Sequence, residues 1–172
     1  MEQVQFDFIF PELVELPNSN ILTSDNWLWI LHANKIPPHI GVSCKGLYFS
    51  LKAKGKDMNV PVNKVLKLLN DKNITSYFLR LKVEWKMEEI NKIYQLFDKA
   101  TGQKTSCLSP IKMLPEMNGD AQQLVDLLNF LQENQLYDRV YGIYLQKGEQ
   151  GILHYSPSAI EKRISLLHAS RR

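Results

Sequence analysis

His39-Ile40-Gly41-Val42-Ser43-Cys44-Lys45-Gly46-Leu47-Tyr48-Phe49-Ser50-Leu51-Lys52 reads as two β-arms joined by a tight turn. The arms are rich in β-branched and aromatic residues, which suit a pleated, half-buried surface. Lys45-Gly46 supplies the turn, because glycine accepts a positive φ at no steric cost. Pro37-Pro38 precedes the first arm and stops whatever comes before, since proline denies its predecessor the α region. An antiparallel hairpin of this kind sets the expected fold class. Working outward, residues 4–10 and Ser76–Val83 read as strands. Val140–Lys147 and Gly151–Tyr155 read as a second hairpin around Gly148-Glu149-Gln150-Gly151.

Helical spacing lies between these strands. Thr23 or Ser24 is placed to cap a short helix over Asp25–Asn34. Val62, Val65, Leu66 and Leu69 form one face of a helix over Lys64–Asp71, with Pro61 allowed at its start. Ile90, Ile93, Tyr94 and Phe97 do the same over Met87–Ala100, with Gly102 as the C-terminal stop. A short helix is expected from Ser106-Cys107 to about Met113. Asp120 is the candidate cap of a helix over Ala121–Asn134, and Ser158 of a last one ending near Ala169. Strands and helices intermix, so the expectation is α+β: a single domain over 1–172, an antiparallel sheet of hairpins packed against helices.

Composition supports this. The 172 residues are 44% apolar and 23% charged, near the globular average. The formal charge of +3 is too weak for a nucleic-acid-binding face. The longest apolar run, Trp27 to Leu31, is far short of the roughly 20 residues of a membrane span. Met1-Glu2-Gln3-Val4-Gln5-Phe6-Asp7 lacks a basic and then apolar leader, so the expected location is the cytoplasm. Cys44 and Cys107 are then expected as thiols. Lys54-Gly55-Lys56 and Lys147-Gly148-Glu149 read as ordinary turns and not phosphate loops, and no cofactor is expected. The tail from Lys162-Arg163 to Arg171-Arg172 reads as a solvated basic end.

Cys107 carries the most chemical information. A cysteine at the first turn of a helix meets unpaired N–H groups and the positive end of the dipole, which favours the thiolate. The same N–H groups suit an oxyanion hole. His39 opens a strand directly after two prolines, a rigid way to present an imidazole. A Cys–His site needs a third polar group to orient the ring. Ser50 is the candidate, with Tyr48 on the same face and His32 and Asn34 just upstream. Each of these also has a plain structural reading, a buried thiol and a strand-edge histidine. Two Cys with His32 and His39 lack zinc-site spacing, so no metal is expected. His154 reads as a sheet-face residue, and His168 as one interacting with the end of its helix. Trp27, Trp29 and Trp85 read as core.

Pro37-Pro38-His39-Ile40-Gly41-Val42, the arm Leu47–Leu51, and Thr105-Ser106-Cys107 opening a helix together resemble the circularly permuted papain-like superfamily. That group includes lecithin–retinol acyltransferase-like proteins and permuted bacterial wall-peptidase relatives. The resemblance covers roughly residues 37–115. It implies a papain-like permuted fold, with Cys107 as nucleophile, His39 as base and Ser50 in place of the orienting residue. It also implies an acyl-enzyme formed from a peptide, amide or (thio)ester substrate. No second histidine follows on the next strand, where the family pattern has a polar residue. The alternatives are a non-catalytic peptide- or protein-binding domain on the same fold, or an unrelated α+β domain in which the His–Cys order is accidental.

Overall fold

A computed structural model describes residues 3–102 and 104–170; Arg171 and Arg172 of the basic tail lie outside the described residues. The chain begins with β1 (Phe6–Ile9), β2 (Val14–Glu15), a 3-10 turn (Ser19–Thr23) and β3 (Asn26–Leu31). Next come β4 (His39–Cys44), β5 (Leu47–Lys52), β6 (Gly55–Pro61), α1 (Val62–Asp71) and β7 (Ser76–Leu81). Then follow α2 (Met87–Gln95), α3 (Leu108–Lys112), α4 (Leu124–Glu133), β8 (Tyr137–Ile143), β9 (Gly151–Leu153) and α5 (Pro157–Ala169). Seven strands form one sheet in the order β2-β8-β7-β3-β4-β5-β6, and β1 pairs with β9 in a small second sheet. Every pairing is antiparallel except β2 with β8. The architecture is mixed α+β.

β3 sits at the centre and explains the layering. Its neighbours β4 and β7 pair along its whole length. Trp27, Trp29 and Leu31 point to one face, where they meet Leu22, Tyr48, Phe78 and the α1 stripe Val62, Leu66 and Leu69. Leu28 and Ile30 point to the other, into a larger core completed by α2, α3, α4 and α5. The sheet is therefore covered on both sides. This corrects the helix expected over Asp25–Asn34. A strand buried on both faces needs an unbroken apolar run, and such a run has no period of its own to separate strand from helix.

The 39–54 hairpin forms as expected, with Lys45 at φ 50° and Gly46 at φ 81°, the left-handed pair that a two-residue turn requires. Other details differ. Gly55–Pro61 continues the sheet as β6, which the sequence reading left unassigned. Val140–Lys147 and Gly151–Tyr155 do not pair with each other: β8 joins the large sheet and β9 joins β1. α2 ends at Gln95, well before Gly102. α4 is capped by Gln123 and Asp126 reciprocally, while Asp120 lies upstream in a turn where its N–H meets Asn118. Ser156, not Ser158, is the residue before α5. Among the described residues, no helix is long and apolar enough to cross a membrane.

Candidate functional site

α3 is only five residues long, and its start is fixed by two serines. The Ser106 hydroxyl accepts from the Leu108 N–H at 3.2 Å, and the Ser109 hydroxyl accepts from the Ser106 N–H at 2.9 Å. This holds Cys107 at the helix entrance, as the sequence suggests. The backbone N–H groups of Ile40, Cys107 and Leu108 face its sulfur. Burial nevertheless pushes the thiol above its ordinary range, and the three N–H groups offset only part of that. The expectation of a lowered thiol pKa is therefore corrected: desolvation outweighs the helix entrance.

Ile40 links Cys107 to His39. The Ile40 side chain enters the larger core, against which Cys107 also packs. His39, one residue earlier, lies at the strand position that faces the other way, opposite Leu31. Its Nε2 is fully buried and has no hydrogen-bond partner among the described residues. Burial pushes the imidazole down to about 4, against the pull of the Asp57 carboxylate, with His32 and Lys52 adding to the decrease. At neutral pH the ring is uncharged. Neither ring nitrogen of His39 is hydrogen-bonded to Cys107.

Ser50 is not hydrogen-bonded to the ring either. Its hydroxyl donates to Asp57 Oδ2 at 3.2 Å, and Lys52 Nζ donates to Oδ1 at 3.0 Å. Ser50 and Asp57 are paired across β5 and β6. Asp57 is thus the carboxylate nearest in effect to His39, and the sequence reading missed it. The signal was present: a strand at Gly55–Pro61 folding back on Leu47–Lys52 brings Asp57 opposite Ser50.

Gly41 follows His39 on the same face. A Cβ there would lie 2.5 Å from Tyr48 Oη and 2.7 Å from the Phe49 carbonyl oxygen. The Tyr48 phenol therefore crosses the strand where residue 41 has no side chain. Its hydroxyl and that of Tyr94 are buried without partners, like His39 Nε2. Burial raises both phenols, the Asp57 carboxylate adding to the rise at Tyr48 and the Tyr48 phenol to that at Tyr94.

A cavity of about 30 Å³ opens beside Cys107, walled by Pro37, Pro38, Ile40, Leu108, Leu124 and Ile160, with Tyr155 at its edge. The Leu124 N–H faces the Tyr155 hydroxyl, whose pKa burial pushes up to about 12. The remaining candidates lie elsewhere. His32 and Asn34 are exposed. Cys44 is buried, with its sulfur 3.8 Å from the Trp85 carbonyl oxygen. His154 Nδ1 lies 2.9 Å from Asp7, and His168 Nε2 2.7 Å from the Ala53 carbonyl oxygen. Among the described residues, no three His, Cys, Asp or Glu side chains are grouped to hold a metal ion. In comparisons with protein families, curated proteins and solved structures, none matches this chain.

Proposed function

We propose that the protein is a cysteine hydrolase or acyltransferase of the permuted papain-like kind, with Cys107 as nucleophile and His39 as base. One observation carries this reading. The Cys107 sulfur faces the N–H of Ile40, and the adjacent residue, His39, keeps a buried, neutral ring nitrogen without a partner. A partnerless buried nitrogen costs free energy, and taking the thiol proton is a role that would offset that cost.

The resting pair is a neutral thiol and a neutral imidazole. The His39 ring leaves β4 on the face opposite the Cys107 core, so reaction requires the strand entry after Pro37-Pro38 to turn and bring the ring within hydrogen-bond reach of the sulfur. His39 then takes the thiol proton and the thiolate attacks the substrate carbonyl carbon. The new S–C bond forms as the carbonyl oxygen becomes an oxyanion, with backbone N–H groups around the sulfur as donors. The oxyanion collapses, and the leaving nitrogen, oxygen or sulfur departs with the proton from His39. Water, an alcohol or an amine next attacks the thioester, gives its proton to His39 and releases the thiolate, which is reprotonated. Asp57, anchored by Ser50 and Lys52, favours the imidazolium of both steps.

The raised thiol and the missing His39–Cys107 hydrogen bond favour a second reading, a non-catalytic peptide-binding domain. Incubation with p-nitrophenyl acetate separates the two. The enzyme reading expects p-nitrophenol release with an acetyl group on Cys107, found by peptide mass spectrometry and slowed at least tenfold by His39→Ala. Acetylation of surface lysines alone, unchanged by His39→Ala and by Cys107→Ser, leaves the binding domain.

A further inference from the structure

The cavity beside Cys107, at about 30 Å³, has room for a water or two and not for a substrate. Small-molecule sites run to roughly 300–1,000 Å³. Any acyl compound that reaches the sulfur must first displace a wall, and the walls differ in how they are held. Pro37, Pro38 and Ile40 belong to the entry of β4, a strand inside the large sheet. Leu108 belongs to α3, and Leu124 opens α4, which buries four leucines. Ile160 belongs to α5, which buries only Ile164 fully and packs Ala159, Ile160 and Leu167 partly buried against the core.

α5 is fastened at its two ends. At its N-terminal side, Tyr155 faces the Leu124 N–H. At its C-terminal side, His168 Nε2 meets the Ala53 carbonyl oxygen at 2.7 Å. Lys54 Nζ donates to the Ser170 carbonyl and hydroxyl oxygens at 3.0 and 2.9 Å. Both contacts bind the helix end to the turn between β5 and β6, and the Lys54 and Ser170 groups are exposed. In the middle, Ile164 and Glu161 rest on Gly102, whose φ of +86° and missing Cβ allow that approach. Gly102 belongs to a loop drawn tight by the Thr105 carbonyl, which accepts from Thr101 and Gly102, and this loop leads directly to Cys107.

We propose that α5 is a lid on Cys107, latched by His168 and Lys54 to the Ala53-Lys54 turn. When the latch releases, the helix swings about Ser156, carrying Ile160 off the cavity. What it uncovers is apolar: Pro37, Pro38, Ile40, Leu108 and Leu124, with Ser106 and Gln123 at the margin. The group that enters beside the scissile carbonyl is therefore apolar. As regulation of the thiol, the proposal rests on the reading of Cys107 as nucleophile; as a statement about access, it does not.

The test is the alkylation rate of Cys107 by iodoacetamide and by the bulkier N-ethylmaleimide, read by peptide mass spectrometry with Cys44 as internal reference. The double variant Lys54→Ala/His168→Ala removes the latch at surface positions. Ile160→Ala removes the wall and leaves the latch. The lid predicts at least a tenfold faster reaction of Cys107 in the latch variant, larger for N-ethylmaleimide, with Cys44 unchanged. Ile160→Ala should speed iodoacetamide more than N-ethylmaleimide. Cys107 rates equal to wild type in both variants overturn the lid. So does an equal rise at Cys44, which would report general loosening. If the latch variant exposes Cys107 but its acetylation still ignores His39→Ala, the lid stands and the acyl-transfer reading falls. If His39 governs acetylation and the latch has no effect, the reverse holds.

Discussion

The Tyr48 phenol occupies the space that a side chain at residue 41 would need, its Oη 2.5 Å from where a Cβ would stand. The Phe49 carbonyl oxygen closes the other side at 2.7 Å, so neither a ring rotation nor a small strand shift frees the site. Gly41→Ala should therefore destabilise the protein by about 1–3 kcal/mol, the usual cost of overpacking. At this chain length that is a fall of roughly 3–10 °C in Tm. Thermal unfolding checks it. A Tm within a degree of wild type would mean that Tyr48 moves freely, and that Gly41 does not hold the phenol in place.

This relationship also shows what the sequence could and could not supply. The 39–54 hairpin was legible because its turn is local: Lys45-Gly46 states its own geometry. The α1 stripe was legible because an amphipathic helix writes its period into the chain. β3 was not, because Trp27 to Leu31 is buried on both faces and leaves no alternation to read. The site divides in the same way. Cys107 at the start of α3 and His39 at the start of β4 are local features, but the face on which His39 leaves its strand, away from the Cys107 core, is set by the pairing of β4 with β3. The burial that raises the thiol is a tertiary fact. Asp57 depends on pairing with Ser50 across a strand that was not recognised, and the α5 wall depends on Ile160 and Cys107, some fifty positions apart in sequence, lining one cavity.

Asp57 should act on His39 through charge. Its carboxylate raises the ring against desolvation, while Ser50 and Lys52 fix its place. Asp57→Asn keeps an acceptor for Ser50 and loses the charge, so the His39 titration should move to lower pH. Ser50→Ala leaves Lys52 as anchor and should move it less. Imidazole proton shifts followed by NMR against pH read this directly. A His39 titration identical in wild type and Asp57→Asn would remove Asp57 from the site.

Trp29 and Ser43 form a second pair whose members depend on each other. Trp29 Nε1 donates to Ser43 Oγ at 2.8 Å, and both side chains have no solvent exposure. Ser43→Ala strands a buried N–H and should cost about 1–3 kcal/mol. Trp29→Phe strands the hydroxyl and also leaves a void, so it should cost more. The double variant should cost less than the two singles together, by about 0.5–3 kcal/mol, because the second change removes a group already left unpaired. Urea unfolding of the four proteins closes the cycle. Strict additivity would show that the hydrogen bond contributes nothing beyond packing.

Acid should unfold the protein partly through His39. Its ordinary value is 6.5 and the folded one about 4. Between these limits the unfolded chain binds a proton that the folded chain refuses, so stability rises with pH across that window. The contribution is fully present above pH 6.5 and is lost as pH falls toward 4. The gap of two to three pH units corresponds to about 3 kcal/mol. His32, lowered by burial and by Arg163, Lys35 and Lys72, adds to the same slope but more weakly, because it is exposed and screened by solvent. His39→Gln keeps a polar side chain without a titrating ring. Its stability should vary less between pH 4 and 6.5 than that of wild type, with the two curves differing in slope there and running parallel above pH 7. Equal slopes in urea unfolding would mean that His39 accepts its proton in the folded state as readily as in the unfolded one. The imidazole would then be open to water, and the buried, neutral base on which the proposed chemistry depends would be absent.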